Sequence, residues 1–209
     1  GADGSTPVAE TGIQHVVIPV GIPADRSSHA GDYDSSTTAE VKQAAGGDRF
    51  TFGKFERPFN AETMDVYYPN LDIVDTFVFQ DETWIYGTIQ MKGRDANNAF
   101  PNKYALELDT DLDGKGDWLI IASNPASTEW KVEGVQVYQD ANKDVGNVTA
   151  VFSDEKAISD GFETIVFDQG SGEDADSAWV RISPNDPNTI EFSVKRSVLG
   201  NPAKYLINM

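Results

Sequence analysis

Apolar residues recur at every second position in several stretches of this chain. Ile85, Gly87, Ile89 and Met91 alternate with Tyr86, Thr88 and Gln90; Val135 and Val137 alternate with Gln136 and Tyr138. A period of two marks extended strands with one face turned to a core. The pattern predicts strands over 49–55, 63–68, 71–79, 83–92, 103–109, 117–123, 130–139, 147–152, 162–168, 177–183 and 189–196, and a short one over 204–209. Gly, Asn, Asp or Pro separates them at roughly 8–12 residues, the spacing of an antiparallel β-sandwich, jelly-roll or Ig-like. The expected fold is all-β, with residues 49–209 as one domain that has no tandem repeat.

Residues 1–48 read as an arm. Positions 1–12 have linker composition. In 13–22, Val16, Ile18, Val20 and Ile22 share one parity, and Val17, Pro19 and Gly21 take the other. Pro19 cannot donate to a ladder, so an edge strand, or a strand donated to another sheet, suits it better than a central one. The plainer reading is a first strand of the chain's own sandwich. Thr37 through Glu40 has capping-box spacing ahead of Val41–Ala45 and the Gly46-Gly47 pair, which predicts a short helix over 37–45.

Charge narrows the function. Among 209 residues, 16 Lys and Arg stand against 34 Asp and Glu, a formal charge of −18. That argues against nucleic acid and anionic membranes as partners and suits a divalent-cation binder. No run is apolar or long enough to span a bilayer. The chain has no cysteine, and its two histidines are His15 and His29, so thiolate chemistry is excluded and a Ser-His-Asp triad is disfavoured. No isolated carboxyl sits in an apolar setting that would raise its pKa for glycosidase work. No enzyme is expected. A start at Gly1 without methionine fits a processed, exported chain or a trimmed one.

The acids concentrate between strands. Asp109, Asp111, Asp113 and Asp117 fall at relative positions 1, 3, 5 and 9 of one loop, with Gly114 at 6 and the Lys115 carbonyl at 7. That is the first part of a calcium loop's ligand order. Position 12 is Ile120, where a helix–loop–helix calcium hand has a bidentate Glu, and both flanks read as strands. The expectation is a Ca²⁺ loop between strands, with its remaining ligands drawn from elsewhere; the alternative is an acidic turn. Asp140, Asn142 and Asp144 repeat the 1, 3, 5 order without the glycine at 6, as a second calcium loop or a polar turn. Residues 168–176 form a third acidic, glycine-rich loop that reads as a solvated turn, with metal binding as the alternative. Trp84, Trp118, Trp130 and Trp179 lie in or beside apolar strands and read as core, with a sugar-stacking platform as the alternative.

The run from Tyr104 to Asp117, then Trp130 through Gly146, then Gly161-Phe162-Glu163, Phe167–Gly170 and Ala178-Trp179-Val180-Arg181, resembles the calcium-loop β-sandwich domains of secreted and surface bacterial proteins. That group is similar to family 9 carbohydrate-binding modules and DOMON-type sandwiches. The resemblance covers about residues 60–205 and leaves the arm unmatched. It implies a secreted or cell-surface sandwich stabilised by Ca²⁺. Two functions follow as expectations. One is a structural subunit that assembles with copies of itself into filaments or surface layers, the strand around Val16–Ile22 entering a neighbour's sheet or wrapping its own domain. The other is a carbohydrate-binding module that recognises polysaccharide.

Overall fold

The structure, a computed structural model, describes residues 15–22, 29–44, 57–60, 63–145 and 161–209. These form eleven strands: β1 (His29–Gly31), β2 (Ile73–Gln80), β3 (Trp84–Met91), β4 (Lys103–Asp109), β5 (Trp118–Ser123), β6 (Val135–Gln139), β7 (Thr164–Asp168), β8 (Ser171–Gly172), β9 (Ala178–Ile182), β10 (Thr189–Lys195) and β11 (Leu206–Asn208). They make two antiparallel sheets, of five strands in the order β1-β2-β3-β10-β9 and six in the order β11-β4-β5-β6-β7-β8. The β-sandwich expected from the alternation is the architecture found.

The core lies between the sheets. Ile85 and Ile89 of β3 stand in register with Val194 and Ile190 of β10, and these with Ala178 and Ile182 of β9. Leu106, Leu108, Ile120, Val135, Val137 and Phe167 of the other sheet belong to the same buried cluster. Each such side chain is worth about 1.5–3 kcal/mol once buried. The sheets pack tightly at Gly87, where an added Cβ would stand 2.6 Å from Leu106 Cδ1.

Several expectations shift. The strand expected over 130–139 begins at Val135, because Gly134 turns the chain at φ +80°, where an added Cβ would stand 2.8 Å from the Ser123 carbonyl oxygen. The one over 63–68 reduces to a single bridge between Phe59 and Tyr67. The stretches 49–55 and 147–152 lie outside the described residues. Within 37–45 there is no α-helix among the described residues. Two 3-10 turns, Ser35–Thr37 and Ala39–Val41, stand there instead. Asp34 caps the first through Ser36 N–H, the Thr38 hydroxyl donates to the Gln43 carbonyl at 2.6 Å, and Lys42 enters the left-handed region at φ 55°. Side chains that bond local backbone in this way compete with helix propagation.

Residues 15–22 join no sheet. They lie against the chain's own five-stranded sheet, where His15, Val16 and Val17 meet Asp176 and Trp179. Val16, Ile18 and Val20 are 84%, 54% and 90% exposed, while Pro19 is buried and Ile22 packs half-buried against the core. The expected apolar face is therefore not the docked one. The reason is local: the consecutive N–H groups of Val16 and Val17 both donate to one Asp176 oxygen, at 2.8 and 2.9 Å. Two successive amides pointing the same way cannot keep the alternation of a strand.

Candidate metal centre

Four adjacent strand ends meet at one edge of the six-stranded sheet. Leu108 pairs with Trp118, Trp118 with Gln139, and Gln139 with Thr164. The residues just outside those pairs are Asp109, Asp117, Asp140 and Glu163. Antiparallel register thus lines up four carboxylates across β4, β5, β6 and β7. The backbone closes the row, since Asp140 N–H donates to the Asp117 carbonyl at 2.9 Å.

The first loop is folded around its own acids. Asp109 is buried, and its two oxygens accept the N–H groups of Leu112 at 2.6 Å and Gly114 at 2.7 Å. Asp117 Oδ2 accepts Thr110 N–H and the Thr110 hydroxyl, both at 2.7 Å, and Asp111 N–H at 3.2 Å. Asp113 Oδ1 accepts Lys115 N–H at 2.9 Å. Two glycines serve different needs. Gly114 supplies a φ of +86° with open space around it, whereas a Cβ on Gly116 would stand 2.4 Å from Glu107 Cγ and 2.9 Å from Phe162 Cζ. Asp109, Asp111 and Asp117 bring carboxylate oxygens within 4.8 Å of one another, and Asp113 stands outside that group. Lys143 reaches Asp111 Oδ2 at 2.5 Å from the second loop and holds that carboxyl below the usual carboxylate range.

The second loop is arranged differently. Asp140 is buried and accepts the N–H groups of Asp144 at 3.2 Å and Val145 at 3.0 Å. Asn142 Oδ1 accepts Asp144 N–H at 3.1 Å, and its amide donates to Asp144 Oδ2 at 3.2 Å. Glu163 Oε1 spans the strand gap and accepts the N–H groups of Ala141 at 3.0 Å and Asn142 at 3.1 Å. Asp140, Asp144 and Glu163 bring oxygens within 4.8 Å of one another. Asp144 Oδ1 is buried without a hydrogen-bond partner. Buried carboxylate oxygens rarely go unbonded, so this donor set fits a hard cation that takes oxygen ligands at about 2.3–2.6 Å.

Glu163 was not among the residues expected to ligate. Its loop holds no metal spacing of its own; only the β6–β7 pairing brings it beside Asp140. In the third acidic loop, Asp174 pairs with Lys195 Nζ at 2.5 Å and Asp176 holds the Val16 and Val17 amides. Asp168 accepts from the Gln136 amide at 3.0 Å. Trp84, Trp118 and Trp179 are buried, and Trp130 is half-buried with the Arg181 guanidinium 4.4 Å from its ring centroid.

The chain matches no protein-family model, no curated protein and no solved structure. What it does is therefore read from the geometry of its own sites.

Proposed function

We propose that this chain is a calcium-stabilised structural β-sandwich that works outside the cell and assembles with copies of itself. The observation that carries the calcium part is the second loop: three carboxylates from two strand ends converge there, and Asp144 Oδ1 is buried with no donor to meet it. An ion held by Asp140, Asp144 and Glu163 would tie β6 to β7. The first loop would hold another through Asp109, Asp111 and the second oxygen of Asp117, since Asp117 Oδ2 already accepts three donors.

A structural role suits the way these acids are used. Asp109, Asp113, Asp117 and Asp140 accept backbone N–H groups of their own loops, and Glu163 accepts those of Ala141 and Asn142 across the strand gap. A general acid or base must exchange its proton with a substrate, and carboxylates tied to amides are poorly placed for that. Calcium is plentiful outside cells, where loops of modest affinity fill.

Titration calorimetry of the full chain with Ca²⁺ tests the reading. Saturable heat is expected, and Glu163→Gln should weaken the binding by about tenfold or more, as loss of one charged ligand costs at least about 1.4 kcal/mol. No heat from the wild-type chain up to millimolar Ca²⁺ would sink the calcium reading. Light scattering of the same samples tests association.

A further inference from the structure

We propose that residues 15–22 are a strap with a charge-operated latch: the ionised Asp176 carboxylate clasps residues 15–17 to the five-stranded sheet, and the neutral carboxyl lets them go while the sandwich stays folded. The device is separate from the two loops read as ion sites.

The two halves of the strap are held by different forces. In the second half Pro19 is buried, Ile22 packs half-buried against the core, and the Tyr86 hydroxyl meets the backbone at Val20 and Gly21. Gly21 passes the Arg181 guanidinium so closely that an added Cβ would stand 3.3 Å from Nη2. The first half buries little, since Val16, Val17 and Ile18 are all exposed. Its hold is polar and converges on one side chain. Asp176 Oδ2 accepts the Val16 and Val17 N–H groups, and Oδ1 meets His15 Nδ1 at 2.7 Å. The His15 ring also stands edge-on to Trp179, with ring centroids 4.8 Å apart. No ladder reinforces these contacts, because residues 15–22 pair with no strand.

Such a latch depends on charge. Hydrogen bonds to a carboxylate are roughly twice as strong as those to a neutral acceptor. Protonation removes the charge and places a hydrogen where a lone pair has to meet a donor. The anchor itself is fixed to the fold: Asp176 N–H donates to Asp174 Oδ1 at 2.8 Å, and Trp179 Nε1 donates to the Asp176 carbonyl at 3.2 Å. The charged groups around the carboxyl are His15 on the strap, Lys195 on β10 and Asp174 in its own loop, the last two paired at 2.5 Å. Burial alone pushes the Asp176 carboxyl up, but the Val17 amide, the His15 ring, the Val16 amide and the Lys195 charge together hold it below the usual carboxylate range. A lowered value in the latched state means that the hold is complete above the ordinary carboxylate range and is lost as pH falls through the lowered value. The strap is therefore closed near neutrality and opens in acid.

The chain has no cysteine, so full-length Val16→Cys takes a single pH-insensitive fluorophore of a kind that nearby tryptophan quenches. The Val16 side chain is exposed, and the substitution keeps its amide. Emission should be low at neutral pH and rise below the ordinary carboxylate range, while far-UV circular dichroism keeps the signal of the sandwich. Adding Asp176→Ala should raise emission already at neutral pH, with the open fraction about tenfold or more larger, as expected for losing charge-assisted bonds. Adding His15→Phe keeps a ring on Trp179 but removes a group that lowers the Asp176 pKa, so the transition should move to higher pH. Three outcomes overturn the latch: emission that rises only together with loss of the dichroism signal, Asp176→Ala emission equal to that of the parent at neutral pH, and a transition that His15→Phe leaves in place. The acid titration of the parent depends on no variant that could fail to fold.

Discussion

The two acidic loops at the same sheet edge differ in what holds them. The first carries the fuller ligand order, yet its acids are met by its own amides and by Lys143. The second carries the poorer order, yet three carboxylates converge there around an oxygen with no donor. Ligand order along one loop describes how a turn can close on itself. Convergence of charge across strands describes where a cation is required. The first loop is therefore held by its own amides, and the second is where the proposed ion would meet an oxygen that no donor reaches.

The sharpest way to break that contrast is Asp109→Ala. It strands the amides of Leu112 and Gly114 and should cost about 3 kcal/mol. Urea unfolding should show this loss already without Ca²⁺, with a further loss in Ca²⁺ from the missing ligand; a loss seen only with Ca²⁺ would mean the first loop is not self-held. Chelation comes next. If free Ca²⁺ stands at about a hundredfold over its dissociation constant, removing it costs about 2.7 kcal/mol, or about 5–10 °C of melting temperature at this chain length. Asp144→Asn should erase most of that difference, and Asp113→Asn little of it. Gly116→Ala should cost about 1–3 kcal/mol, as overpacking against Glu107 and Phe162. Gly114→Ala should cost about 1 kcal/mol, from its left-handed backbone alone. The smallest change is Lys143→Ala. The exposed ion pair contributes little to melting, but freeing Asp111 should tighten Ca²⁺ binding at the first loop in calorimetry. Unchanged or weaker binding there would show that Lys143 does not compete with the ion.

Much of the sandwich was legible because strands such as β3, β4 and β10 alternate and β5 is a short continuous apolar run. The site was half legible. Asp109, Asp111 and Asp117 can be read from spacing, whereas Glu163 becomes a neighbour of Asp140 only through the pairing of Gln139 with Thr164. A one-dimensional spacing holds no register between separate strands. The N-terminal segment misleads for a related reason. Its parity marks Val16, Ile18 and Val20 as the docking face, but parity governs side chains only where the backbone is a strand, and Asp176 gathers two adjacent amides instead. The short helix failed because Thr38 spent its hydroxyl on nearby carbonyls.

β10 has a strand on either edge, the core beneath it and the N-terminal segment above. Its amide protons can reach solvent only when the whole sandwich opens. Deuterium uptake along Thr189–Lys195 would thus report global opening, while β11, three residues at a sheet margin, would report fraying. One isotope-labelling run would separate the two clocks within a single molecule.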